Sequence, residues 1–304
     1  MTREKWLTTD GQNFTLGFRP KTVKALPPNY YSISFNPNTS HCIFEAIEDV
    51  SDDIFRFKSQ STIDEAVREI QSFWEKREFF AKHKFPFRRG ILLHGPQGVG
   101  KSCAIKMICE DIKNQGGIAL EVRDTNLFAM AMSEIRTMHP QMPVVAIIED
   151  IDLHLRHNEV QITNMMDGLG GFDNVVYLAT TNYISQISER VRDRPSRFDR
   201  RFFIGYPEPD LRIEYFKRLA KKSGIGKKHV QVFAKVSEGF SFAHMKELFI
   251  SVIGFDTPLE IAVQRLKGMG DISDENEHID HRPNEKMPVK KFIGSPIDSL
   301  QMMV

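Results

Sequence analysis

The sequence predicts an α/β fold, in which a parallel sheet is covered by helices on both faces and followed by a smaller all-helical unit. Three observations carry that prediction. Short apolar runs alternate with segments of helical period, a glycine-rich loop follows the first of those runs, and the strand signal stops after Pro207-Glu208-Pro209. Strands that are apolar throughout suit a sheet buried on both faces, and strand-helix alternation is what parallel connections need.

From Thr62 onward, Ile63, Val67, Ile70, Phe73 and Trp74 recur at three- and four-residue spacing between charges, which predicts an amphipathic helix ending near Phe85-Pro86. Ahead of it, turn formers (Pro20, Pro27, Pro28, Asn36, Pro37, Asn38) surround the aromatics Tyr30, Tyr31 and Phe35, and an irregular lead-in is expected. Strands are expected at Gly90 to His94, Ile118 to Val122, Val144 to Ile148 and Val175 to Ala179, with helical segments at 102–114, 126–138 and 158–169 between them. Beyond Pro209 only helical periods remain, in 210–223, 228–236, 242–253 and 257–267. From Gly270 the chain turns polar, with Asp271, Asp274, Glu275, Glu277 and Asp280 ahead of Lys290-Lys291, and a flexible tail is expected. The expected organisation is a lead-in over 1–60, a core over 61–207, a helical unit over 208–269 and a tail over 270–304.

The 304 residues hold 41 basic and 40 acidic side chains, so no global field draws the chain to nucleic acid or an anionic membrane. Cys42, Cys103 and Cys109 show neither disulfide pairing nor metal-ligand spacing, which favours a reducing, cytoplasmic setting. The first ten residues lack the apolar stretch of a secretory leader. The longest apolar run, Val144 to Ile148, is far short of the roughly 20 residues that span a bilayer, so no membrane association is expected.

Gly95-Pro96-Gln97-Gly98-Val99-Gly100-Lys101-Ser102 has a glycine, four residues, then Gly-Lys-Ser, between a strand and a helix. Glycines let successive backbone N–H groups curl around a phosphate, and the helix behind them points its positive end at the same anion. In such a loop Lys101 reaches the β and γ phosphates of ATP and the Ser102 hydroxyl ligates Mg²⁺. Farther on, Val144-Val145-Ala146-Ile147-Ile148 runs into Glu149-Asp150-Ile151-Asp152. A strand that ends in carboxylates behind a phosphate loop supplies a Mg²⁺ ligand and a group that positions the attacking water. Another apolar strand, from Val175, ends in Thr180-Thr181-Asn182, which alone would read as a cap or Asx turn. Residues 190–201 then hold six arginines, a pattern that suits phosphate contacts of either a nucleotide or a nucleic acid.

These motifs resemble the AAA+ ATPases, a family of P-loop NTPases with an αβα core and a helical lid, over about residues 50–268. The family's acidic strand usually ends Asp-Glu-x-Asp. By that resemblance Glu149 stands on the Mg²⁺ side and Asp150 in the place of the catalytic Glu, with the two lengths exchanged. A similar Glu-Asp order characterises the mitochondrial AAA proteins that assemble the Rieske iron-sulfur subunit. Asn182 matches the residue that senses the γ-phosphate. The stretch Arg194-Pro195-Ser196-Arg197-Phe198-Asp199-Arg200 resembles Arg-Pro-Gly-Arg-Phe-Asp-Arg, which makes Arg197 and Arg200 arginine fingers reaching a neighbouring subunit's nucleotide. Gly239-Phe240-Ser241-Phe242-Ala243-His244-Met245 resembles the lid's Gly-Phe-Ser-Gly-Ala-Asp-Leu, and Asp53-Ile54 falls where relatives touch adenine.

The resemblance implies ATP hydrolysis in a ring of identical subunits, acting on a protein client. A nucleotide-gated DNA-loading factor and an ATP-holding switch stay open as alternatives, nucleic acid being the less favoured partner. Residues 124–136 lack the aromatic-glycine loop of polypeptide-threading relatives; Phe128, Met130 and Met132 read as core. His154 with His157, and His278 with His281, lack the Glu of a zinc-protease motif and read as surface residues.

Overall fold

The structure, a computed structural model, describes residues 5–7, 15–17, 23–47, 61–167, 171–194 and 196–268. Asp53-Ile54, Pro195, His278, His281 and the expected tail lie outside the described residues.

The main sheet has seven strands in the order β4-β3-β6-β7-β8-β5-β9. They are β3 (Tyr30–Asn36), β4 (His41–Ala46), β5 (Arg88–His94), β6 (Ile118–Glu121), β7 (Val144–Ile148), β8 (Val175–Thr181) and β9 (Arg200–Phe203). All neighbouring pairs are parallel except the β3–β4 hairpin. A separate antiparallel pair joins β1 (Lys5–Leu7) and β2 (Thr15–Gly17).

Successive side chains of the central strands enter opposite apolar layers. Leu92, Ile148 and Tyr177 join Phe128 and Met132 of helix α4 (Thr125–Met138) and Ile151 and Leu155 of helix α5 (Ile151–Asp167). Leu93, Ile147 and Leu178 join Ile63 and Ile70 of helix α1 (Ser61–Glu75) and Ile105 and Ile108 of helix α3 (Lys101–Asn114). With cover on both sides, every residue of β7 is buried, which is why Val-Val-Ala-Ile-Ile shows no alternation.

The structure corrects three expectations. The lead-in is not irregular throughout, since residues 30–46 form a hairpin that extends the core sheet, Tyr30 pairing with Ala119 and Tyr31 with Leu120. The first helix does not run on to Phe85: it stops at Glu75, and a short helix α2 (Arg77–His83) follows, closed by Lys84 in the left-handed conformation (φ 57°). The helix expected at 158–169 begins at Ile151, directly after the acidic strand end, and its backbone departs from helical angles at Asn158.

A one-turn helix α6 (Glu189–Arg192) precedes β9, and the rest is helical: α7 (Pro209–Ser223), α8 (Lys227–Val236), α9 (Phe242–Phe249) with a wider turn over Ile250–Gly254, and α10 (Leu259–Gly268). This unit has its own core of Phe216, Phe233, Phe240, Met245 and Leu248. Buried Arg212 on α7 ties it to the connection from the sheet, donating to the carbonyls of Pro207 (3.0 Å) and Ala234 (2.9 Å).

Candidate active site

The carboxyl ends of β5, β7 and β8 converge on a cavity of about 290 Å³ lined by Gln97, Gly98, Gly100, Lys101, Ser102, Cys103, Glu149, Asp150, Thr180 and Asn182. The loop from Gly95 to Gly100 carries the chain from β5 into α3. Its conformation needs glycine: Gly95 has φ 150° and a Cβ there would lie 2.0 Å from the Ile204 carbonyl oxygen, while Gly98 has φ 76° and a Cβ 2.7 Å from Ser241 Oγ. Val99 between them is buried in the α1–α3 layer, and Pro96 and Gln97 form the outer rim of the turn.

Lys101 is buried and its ammonium donates to the carbonyls of Gly95 and Pro96 (2.7 Å each) and to Asn182 Oδ1 (2.6 Å). Burial brings its pKa down to about 8 against the opposing pull of Asp150 and Asp152. Asn182 in turn donates through Nδ2 to Asp150 Oδ1 (3.2 Å), so cation, amide and carboxylate form one chain across three elements. Asp150 leaves β7 at φ 46°, and its N–H donates to Thr180 Oγ1 (3.2 Å). Short polar side chains tolerate this left-handed conformation better than longer ones do.

On the other side of Lys101, Ser102 Oγ donates to Glu149 Oε2 (3.3 Å). Burial, reinforced by nearby Asp150 and Glu121, raises the Glu149 pKa, while the Ser102 hydrogen bond lowers it. A hydroxyl and a partly buried carboxylate that meet in this way are the hard-oxygen donors that Mg²⁺ takes.

Two contributors, Asp152 and Thr180, were not singled out from the sequence. Asp152 is buried and accepts from Thr181 Oγ1 (2.6 Å), which pins the start of α5 to the end of β8. Its signal was its place two residues after Asp150. Thr180 holds the Asp150 backbone, as above. The start of α9 lies on the glycine loop: Ala243 N–H donates to the Gly98 carbonyl (3.4 Å), and the Phe242 ring lies 3.6 Å from where a Gly100 Cβ would stand. Ser241 caps α9, its Oγ lying 2.7 Å from His244 Nδ1.

The arginine stretch departs from expectation at Arg197. Its side chain is only 2% exposed, donating from Nε to Asp167 Oδ2 (2.8 Å) and from a terminal nitrogen to the Arg190 carbonyl (2.7 Å). In the single chain it turns inward to α5. Arg200, at 42% exposure, lies over the Phe202 ring and pairs with Glu65 (2.9 Å). Ser196, in place of the glycine of the Arg-Pro-Gly-Arg-Phe-Asp-Arg pattern that the sequence resembles, takes the left-handed conformation at φ 76°.

Residues 91–206 match the ATPase family associated with various cellular activities (AAA). The human mitochondrial chaperone BCS1 is 24% identical over 177 residues, 53% of this chain and 42% of that protein. The proteasome-activating nucleotidase of Aeropyrum pernix is 27% identical over 221 residues, 64% of this chain and 53% of its own length. The chain thus spans about half the length of these relatives. Among solved structures, the FIGL-1 AAA domain in complex with ADP aligns with a TM-score of 0.49 at 21% identity, covering 75% of this chain and 79% of that one. The glycine loop and the carboxylate and amide strand ends all lie within residues 91–206, the part of the chain that matches the AAA family.

Proposed function

We propose that this chain binds ATP with Mg²⁺ and hydrolyses the γ-phosphate, in a ring of identical subunits, to remodel a protein or protein complex. The observation that carries the reading is the convergence of Lys101, Asn182 and Asp150 in one hydrogen-bonded chain, beside the Ser102–Glu149 pair. The loop amides and Lys101 hold the triphosphate, and ATP displaces the ammonium from the carbonyls of Gly95 and Pro96. Asp150 accepts a proton from the water that attacks, with Asn182 fixing that carboxylate. Ser102 and Glu149 would hold Mg²⁺, which supplies charge neutralisation at the β and γ oxygens when bound. Arg200 is the side chain offered to a neighbour's γ-phosphate. The names of the relatives, a chaperone and a nucleotidase that activates the proteasome, support a protein client. Cys42, Cys103 and Cys109, with no disulfide among the described residues, fit the cytoplasm as the setting.

The test is steady-state ATP hydrolysis against protein concentration for wild type, Asp150→Asn, Arg200→Ala and an equal mixture of the two variants. Turnover that rises cooperatively, vanishes in each variant and returns in the mixture supports a shared site. A wild type that binds ATP without turnover at any concentration makes the protein a nucleotide switch.

A further inference from the structure

The helical unit carries a concentration of charge that the nucleotide cavity does not use. Between Glu214 and Glu238 the chain has seven lysines and arginines and no aspartate or glutamate. Because the chain as a whole is close to neutral, this excess is local. It falls on the second half of α7, on α8 and on the turn between them.

That turn is short and fixed. Gly224 closes α7 in the left-handed conformation (φ 70°), its N–H donating to the Ala220 carbonyl (2.9 Å), and α8 begins after only Ile225 and Gly226. Ala220, Ile225, Val230 and Phe233 pack into the unit's own core, where the Phe233 ring stacks on Phe216 of α7 at 5.2 Å. Two helices joined by three residues with glycine, and locked by a shared core, have the sequence and packing of a helix-turn-helix. In that motif the second helix enters the major groove of duplex DNA and the first crosses the backbone.

The open face of α8 fits that use. Lys227, Lys228, Gln231 and Lys235 are exposed and recur at three- and four-residue spacing, so the helix presents them on one side. Lys217 and Lys221 are exposed in the last turns of α7. Lysine suits phosphates and the guanine edge, and glutamine the adenine edge. The acids of these two helices are Asp210 and Glu214, both in the first half of α7, and Glu214 lies 3.8 Å from Arg218. Folding alone gives no reason for Lys227 and Lys228, because the dipole of α8 disfavours cations in its first turn. The unit's other exposed cations, Lys246, Arg265 and Lys267, are on α9 and α10 among Glu247, Asp256 and Glu260, and Arg265 pairs with Glu247 (2.9 Å). An acidic protein would answer the charge and leave the turn and Gln231 without a use. We propose that α7 and α8 form a helix-turn-helix that binds duplex DNA through the open face of α8, a site separate from the nucleotide cavity and independent of the ring reading above.

Fluorescence anisotropy of a labelled mixed-sequence duplex, titrated with the full chain over a salt series, tests it. The proteins are wild type, Lys227→Glu with Lys228→Glu, and Lys246→Glu with Lys267→Glu, two double variants that change net charge equally on different helices. All four positions are exposed, and thermal melting with ATP binding checks that each variant is folded. Lys227→Glu with Lys228→Glu should melt no lower than wild type, since it removes cations from a helix start. Wild type should bind the duplex with an affinity that falls steeply as salt rises. Binding should weaken about tenfold or more in Lys227→Glu with Lys228→Glu, and stay within about twofold of wild type in the other variant. Equal weakening in both makes the binding an effect of net charge and overturns the proposal, as does tighter binding of the single strand than of the duplex. A wild type that ignores the duplex at low salt and binds labelled polyglutamate makes the face a site for an acidic protein instead. A wild type that binds neither overturns it as well.

Discussion

At Lys101 the site holds a cation in a place that penalises its charge. Burial lowers its pKa to about 8, so it works against the ammonium, which still predominates at neutral pH in the ligand-free fold. The sign follows from linkage: the penalty is present below about pH 8 and disappears as pH rises toward the value of an unfolded lysine. Bound phosphate reverses the preference, because it needs the charged form. ATP affinity should therefore fall by about tenfold between about pH 7 and pH 9, and Lys101→Arg, which stays charged, should flatten that dependence in a calorimetric titration. The exchanged carboxylates belong to the same scale. Asp150 meets Asn182 at 3.2 Å from a left-handed backbone that suits its short side chain. Asp150→Glu adds ~1.5 Å of reach and should lower kcat at least tenfold with ATP binding within about twofold of wild type. A faster Asp150→Glu enzyme would mean that the cavity is built for the longer base. At Ser196, glycine relieves a left-handed serine but loosens the unfolded chain, so Ser196→Gly should raise stability by only about 0.5 kcal/mol in a melting experiment.

Among the elements, the loop between α6 and β9 depends on one buried ion pair. Arg197 reaches from that loop to Asp167 at the end of α5, and Asp199 on the same loop accepts from the Gly90 N–H (2.9 Å). Removal of Asp167 strands the buried guanidinium, at a cost of about 3 kcal/mol, whereas removal of Arg197 leaves Asp167 with Arg194 at 3.8 Å. Arg197→Ala and Asp167→Ala should thus both melt at lowered temperatures, Asp167→Ala at the lower one, whereas a purely trans-acting finger would lower turnover in Arg197→Ala and leave melting of both variants unchanged. This clamp was not legible in the sequence, because its partner is thirty residues away and an arginine among arginines gives no sign of burial. Strand β9 was hidden for a related reason: Arg200-Arg201-Phe202-Phe203 has no strand pattern, and only pairing with β5 makes it one. The β3–β4 hairpin did carry alternation, Tyr31-Ser32-Ile33-Ser34-Phe35, but the prolines on both sides outweighed it. By contrast β5, β7 and β8 were readable because complete burial leaves unbroken apolar runs, and the glycine loop because its backbone tolerates few other residues.

Across the whole molecule, two bodies with separate cores meet at the phosphate loop. The sheet unit supplies Gly98 and Gly100, and the lid supplies Ser241, Phe242 and Ala243. Phe242 stands in place of the second glycine of the lid pattern that the sequence resembles, and its ring bridges Gly100 and the Tyr215 ring of α7 (5.3 Å). A glycine there would remove the contact with Gly100 and leave the lid resting on the loop at Gly98, through Ser241 and Ala243. This aromatic wedge makes lid position and loop conformation one variable, so a ligand that reshapes residues 95–102 must also move or tighten α9. Hydrogen exchange reports that coupling directly. In wild type, ATP should slow exchange in both the loop and the first turn of α9. In Phe242→Ala the loop should still be protected by ATP, while α9 exchanges about tenfold faster than in wild type and responds less to nucleotide. Equal protection of α9 in both proteins would show that the lid is held by its own core and the Pro207 connection, and that Phe242 only fills space beside Gly100.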